Sequence, residues 1–196
     1  LIAIFFIVNF IITNRQATHP IVHFHTLFSK KPFVGATMAI SSHLTLLTGI
    51  AGINVYIVRI LKLPFDISLH FYFFFFVGVI ITGILKMFFY SSVGAGFLGT
   101  LGSSALLYVS IHWIILGNTI NIPLLYIQGL LLGFGASMTL VSGSMATLLD
   151  GDLKEAAQRS QTMHTIRNFS AAMLIPIIAY TIKNHIQKGT QSIYAE

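Results

Sequence analysis

Five apolar stretches, each long enough to cross a bilayer, fill most of this 196-residue chain and leave the polar residues mainly between them. They run over residues 34–58, 68–89, 94–116, 120–149 and 161–182. A helix needs about 20 mostly apolar residues to cross a hydrocarbon core about 30 Å thick. Only helices and closed barrels satisfy the backbone inside lipid, and these runs are far longer than barrel strands. The expectation is an all-α polytopic membrane protein, a transmembrane helix bundle whose main solvent is lipid.

Composition agrees with that expectation. Hydrophobic residues make up 55% of the chain and charged ones 8%, with a mean hydropathy of +0.84, well outside the soluble range. The net charge of +6 would ordinarily raise nucleic acid as a partner, but eleven Lys and Arg scattered over many loops make no contiguous basic face. Topology signalling accounts for the excess better. Cysteine is absent, which excludes disulfides, thiolate metal sites and iron–sulfur clusters within this segment.

The chain opens at Leu1 inside an apolar run that stops at Thr13. Thirteen residues span about 20 Å as a helix, too short to cross, and the run has neither the basic start nor the small-residue cleavage site of a signal peptide. Residues 1–13 therefore read as the end of a truncated transmembrane helix, and the sequence as a fragment of a larger membrane protein. Residues 14–33 form the first loop, 34–182 the bundle of five helices, and 183–196 an external tail or loop.

Loop charges set the orientation. Arg15, Lys30 and Lys31, then Lys86 near the turn at 90–93, then Lys154 and Arg159 would lie on one side; Arg59, Lys62, Lys183 and Lys188 would lie on the other. The positive-inside rule places the richer side, with 14–33, in the cytoplasm. The fourth span is overlong, so it tilts or projects. Pro123 suits the first turn of that helix. Pro64 and Asp66 break the chain between the first two spans, and Pro176 predicts a kink in the last.

Small residues mark where helices touch. Gly129, Gly133 and Ser137 recur every four positions, as do Ala95, Gly99 and Ser103, and Gly135, Thr139 and Gly143. Such stripes let backbones approach closely in lipid. Plain packing is the ordinary reading; a seam along which helices slide during gating is the functional one. The run FYFFFF at 71–76 is bulky on every side, and lipid contact explains most of it.

Polar groups inside the membrane are the functional candidates. His43 lies mid-span, and Asn54, eleven residues on, falls about 20° away around the same helix and about 16 Å along it. The two read as a stripe facing the bundle interior, for substrate contact, proton relay or a structural hydrogen bond. Arg167 is the deepest charge, with His164 one turn before it and Gln161, His164 and Asn168 on a neighbouring face. Arg167 could snorkel to the interface, pair with Asp150, Asp152 or Glu155, or serve substrate binding. All five acids, Asp66, Asp150, Asp152, Glu155 and Glu196, fall outside the expected membrane core. There is no H-E-x-x-H, no G-x-x-x-x-G-K-[ST] and no G-x-S-x-G, so nothing marks an enzyme.

With the loops placed, NRQATHPIVHFHTLFSKKPFVGATM at 14–38 resembles the cytoplasmic stretch before the carboxy-terminal helices of the fourteen-span drug:proton antiporter branch of the major facilitator superfamily, on Pro20, Leu27, Phe28, Lys31 and Phe33. GLLLGFGASMTLVSGSMATLLDGDLKEAAQRSQTMHTIRNFSAAM at 129–173 resembles that branch's next-to-last helix pair, with Gly133, Gly135 and Arg167 matching and His164 standing where Asn is usual. KMFFYSSVG at 86–94 departs from the family's basic, glycine-containing turn, keeping Lys86 and Gly94.

The resemblance implies a partial major-facilitator carboxy-terminal half and a proton-coupled exporter of amphipathic small molecules, working by alternating access in a bacterial cytoplasmic (inner) membrane. It assigns His43, Asn54, His164, Arg167 and Asn168 to the substrate or proton pathway, and Gly129, Gly133, Gly135 and Gly143 to packing or gating. The implied partners are the lipid bilayer, a small-molecule substrate, the proton and the remaining helices of the same protein; no nucleic acid, metal or cofactor is called for. The competing readings are a membrane haem protein ligated by His43, His70, His112 or His164, and a sensor or scaffold that moves nothing.

Overall fold

The computed structural model describes residues 2–18, 20, 22–115, 121–149 and 153–194. Every regular element among them is helical: α1 (Ile2–Gln16), α2 (Lys30–Asn54) running on as a π-helical turn (Val55–Ile60), α3 (Phe65–Ile115), α4 (Ile122–Leu149) and α5 (Ala156–Tyr194). Four stretches are long and apolar enough to cross a membrane, Lys30–Ile60, Phe65–Ile115, Ile122–Leu149 and Ala156–Asn184, which points to a membrane-embedded protein. The second and third expected spans are thus one element of 51 residues, broken at Gly94 alone.

Side-chain register shows that α3 folds back on itself. In its first limb, 65–93, Phe71 lies over Gly129, Phe75 over Gly133, and Lys86 reaches Ser137 and Met138, so the limb runs parallel to α4. In its second, 95–115, Gly99 lies by Ser142, Gly102 by Thr139, and Trp113 by Gln128, so the direction is reversed. Gly94, with φ 75° and ψ 168°, makes the turn in backbone space that only glycine occupies at little cost.

Helix α4 is the hub. Gly129 and Gly133 receive the carbonyls of Phe71 and Phe75, Gly135 meets Gly102 O, and Gly143 meets Gly35 O. A methyl group at any of the four would collide with backbone, so all four glycines named from the sequence are contact points between helices, on three different neighbours. Helix α2 runs antiparallel to α4, with Ser42 donating to Ala136 O at 3.0 Å and Thr147 to Pro32 O at 3.4 Å. Helix α5 runs parallel to α2: His23 N–H donates to Thr162 Oγ1 at 2.9 Å, and Met163 packs with Leu27, Ala36 and Ala39.

The starts of α2 and α5, the Gly94 turn and the end of α4 therefore share one end of the bundle. Lys30, Gly94 and Leu149 line one groove there. At that end Arg159 is buried and donates to Thr147 O at 3.0 Å and Leu148 O at 3.1 Å, so a cation caps the carbonyl end of α4. The opposite end holds the main apolar core, Ile53, Ile57, Ile67, Phe71, Val109 and Leu125 among it. There Asn121 caps α4, accepting from Leu124 N–H at 3.4 Å, with Pro123 in the first turn.

Several expectations need correcting. Phe71 and Phe75 are core residues rather than lipid-facing ones; Phe73 and Phe76 keep the exposed role. Lys86 is not a loop charge. It is half-buried on the first limb and donates to Ser137 O at 3.2 Å and Met138 O at 2.9 Å, so it leaves the topology count. The loop expected at 14–33 ends at Lys30, where α2 begins, and includes a short 3-10 turn (Phe24–Leu27). Helix α5 runs through Pro176 and on to Tyr194, past the expected tail boundary at 183. Helix α1 is held by a reciprocal pair, Asn14 Nδ2 donating to Val22 O at 2.8 Å and Val22 N to Asn14 Oδ1 at 3.0 Å, and otherwise lies exposed.

The glycines separate two physical costs. Gly133→Ala is expected to lower thermal stability in detergent by about 1–3 kcal/mol because the limb must move off α4. Gly94→Ala is expected to cost about 1–3 kcal/mol through backbone strain alone, since nothing lies within 4 Å of the added carbon. Gly83→Ala, a helical position also open within 4 Å, is the neutral control. A Gly133→Ala melt equal to that of Gly83→Ala would refute the close approach.

Candidate functional site

Parallel packing of α2 and α5 decides which polar groups meet. From the contact of Met163 with Ala36 and Ala39, one turn along α5 reaches Arg167 and one along α2 reaches His43. The Arg167 charge acts on both His43 and His164. His43 stands about 18 Å along α2 from Lys31, which puts the cluster near mid-depth rather than at the interface. Arg167 is half-buried, and its Nε is fully enclosed with no hydrogen-bond partner. A guanidinium in that position presents planar donors suited to an anion.

The other sequence candidates are elsewhere. Asn54 accepts a hydrogen bond from Tyr72 Oη–H at 2.7 Å, tying α2 to the first limb of α3 near the far end of the bundle. Helical periodicity grouped the two residues in one stripe, but His43 and Asn54 meet different neighbours. Asn168 is exposed on α5, as is His164, which the Arg167 charge nonetheless reaches. Glu155 pairs with Arg159 at 3.7 Å instead of Arg167; Asp150 and Asp152 lie outside the described residues.

A second polar feature had no sequence signal. Ser41 and Thr45 of α2, Ser103 and Ser110 of α3 and Thr139 of α4 line an open recess of about 300 Å³, together with the apolar Met38, Leu106 and Leu107. Thr139 Oγ1 and Ser142 Oγ are buried there and close by without partners. Several span hydroxyls, including Thr37, Thr48, Thr100, Ser104 and Ser144, donate to the carbonyl four residues back. That local bond makes Ser and Thr inexpensive in a membrane helix and hides those that depart from it.

Gln128 was also missed. It is fully buried; its Nε2 donates to His112 Nδ1 at 2.8 Å, and its Oε1 accepts from Trp113 Nε1–H at 2.7 Å. His70 instead donates from Nδ1 to Asp66 O at 2.7 Å and faces Tyr126. Tyr126 and Gln128 are two residues apart, about 200° around α4, so these two histidines lie on different faces of the helix and do not confront one another. No group of three His, Cys, Asp or Glu able to hold a metal occurs among the described residues.

Gln128→Leu, close to isosteric, leaves the Trp113 indole N–H and the His112 ring without their shared partner. The expected loss is about 1–3 kcal/mol in thermal unfolding, against about 0.5–1.5 kcal/mol for Tyr72→Phe at the half-buried Asn54 bond. A larger loss for Tyr72→Phe would contradict the ranking by burial. Compared with known proteins, the chain matches no family model, no curated protein and no solved structure.

Proposed function

We propose that the chain is part of a secondary active transporter, a proton-coupled exporter of amphipathic small molecules that works by alternating access. The observation that carries this reading is the gathering of His43, His164 and Arg167 at mid-depth on two packed helices, among the hydroxyls and amides of Ser42, Thr45, Thr165 and Asn168. Intramembrane ionisable groups are expensive to keep and serve pathways for substrates and ions. Histidine is the side chain whose ordinary titration range falls near neutral pH, as a proton-coupled step requires. The hydroxyl-lined recess beside α4 adds polar contacts within an apolar wall, the composition of a site for loosely held amphiphiles. The major-facilitator architecture and a bacterial cytoplasmic membrane, both implied by the resemblance, belong to the same proposal.

The test is efflux of cationic, neutral and anionic amphipathic dyes from cells expressing the complete gene, compared with a null strain, with and without an uncoupler. Uncoupler-sensitive efflux of at least one dye is expected. Arg167→Gln and His43→Ala should each reduce its rate by about tenfold or more, the scale of losing one charged hydrogen bond, at unchanged membrane abundance. Full efflux by both variants would remove the cluster from the mechanism. No efflux of any dye, with the protein in the membrane, would favour a sensor or scaffold.

A further inference from the structure

The charge balance of the bundle goes one step further. Away from the ends of the four membrane-crossing stretches, the described cations are Lys86 and Arg167, and they are satisfied differently. Lys86 is met by two carbonyls of α4. Arg167 has an enclosed, unpartnered Nε and two histidines beside it. Of the described acids, Asp66 stands in the first turn of α3 at the far end of the bundle. Glu155, just before α5, pairs with Arg159 and lies twelve residues, about 18 Å, before Arg167. A cation removed from water and left without a counter-charge is strongly unfavourable, so such a group is normally paired.

We propose that Arg167, flanked by His43 and His164, binds the anionic head of an amphipathic ligand: a carboxylate or phosphate whose apolar tail runs along α2 and α5 beyond the cluster. The proposal rests on the transporter reading for its physiological meaning and names the substrate class of that same cluster. The guanidinium fork matches the two oxygens of a carboxylate or phosphate, which an ammonium cannot imitate. Helical spacing supplies the place for the tail. Positions four and seven residues on from His43 are Leu47 and Ile50; from Arg167 they are Ala171 and Leu174. All four are apolar and partly or fully buried, and because the helices are parallel both pairs continue in the same direction from the charged cluster. A cationic amphiphile would place its charge against an arginine with no described acid beside it. The positive cluster therefore selects by sign, while the apolar positions beyond it tolerate varied tails.

The experiment uses the complete protein in phosphatidylcholine nanodiscs and three dansyl-labelled undecyl chains, ending in a carboxylate, a primary amide or an ammonium. Dansyl fluorescence should show the carboxylate binding about tenfold or more tighter than the ammonium. Arg167→Gln should bring the carboxylate down to the affinity of the amide, with the amide unchanged. Arg167→Lys, which keeps the charge and loses the fork, should weaken the carboxylate while retaining a preference for it; it also decides the matter if the Gln variant does not fold. Equal binding of carboxylate and ammonium, or a preference surviving Arg167→Gln, overturns the proposal.

Nanodiscs containing phosphatidylglycerol separate two sources of the same chemistry. Competition with the carboxylate identifies a lipid headgroup as the occupant, and indifference identifies a free solute. Uncoupler-sensitive export of the three probes runs in parallel. Selective binding without export keeps the anion site and removes the exporter reading; export blind to charge does the reverse.

Discussion

Backbone-to-backbone contact along α4 is the constraint on which the bundle depends. Lipid gives helices no hydrophobic reason to associate, so cohesion must come from close van der Waals packing. Glycines on α4 admit the carbonyls of Phe71 and Phe75 on one side, Gly102 on another and Gly35 on a third. Each approach excludes even a methyl group. The helix is therefore fixed in rotation as well as position, and the rotation in turn fixes which polar side chains point at which neighbour. Gln128 faces the second limb of α3 because Gly129 and Gly133 face the first.

The tightness of that hub explains the polar pattern around it. Where backbones meet, hydroxyls and Lys86 can reach carbonyls of the adjacent helix directly. Where backbones do not meet, side chains line the space between helices, and the Ser41–Ser110 recess arises. Polar chemistry collects in the looser joints, since only there is room left for a ligand.

Hydropathy made the spans legible, and four-residue spacing made the packing glycines legible, because both are properties of one helix. What failed depended on a second helix. In FYFFFF every position is aromatic, so nothing in the run distinguishes Phe71 and Phe75 from Phe73 and Phe76; the glycines opposite do. Lys86 read as a loop charge because its partners, the carbonyls of Ser137 and Met138, belong to a segment 51 and 52 residues later. His43 and Arg167 were each noticed, but their meeting follows from α5 lying parallel to α2. Asn54 was grouped with His43 by helical spacing, but the two meet different neighbours along the length of α2. Gln128 carried no signal, since an amide in an apolar run reads equally as an interfacial residue.

Of the four membrane-crossing stretches, the one in α5 is attached most lightly. It buries little of its surface and meets the others mainly through α2. Yet it carries Arg167. The least securely held of these four stretches thus bears the group with the most to gain from a bound partner, and cohesion and occupancy become linked quantities. A ligand spanning Arg167 and His43 would act as a clasp between the two helices, and by mass action its concentration would set how often that joint stands open.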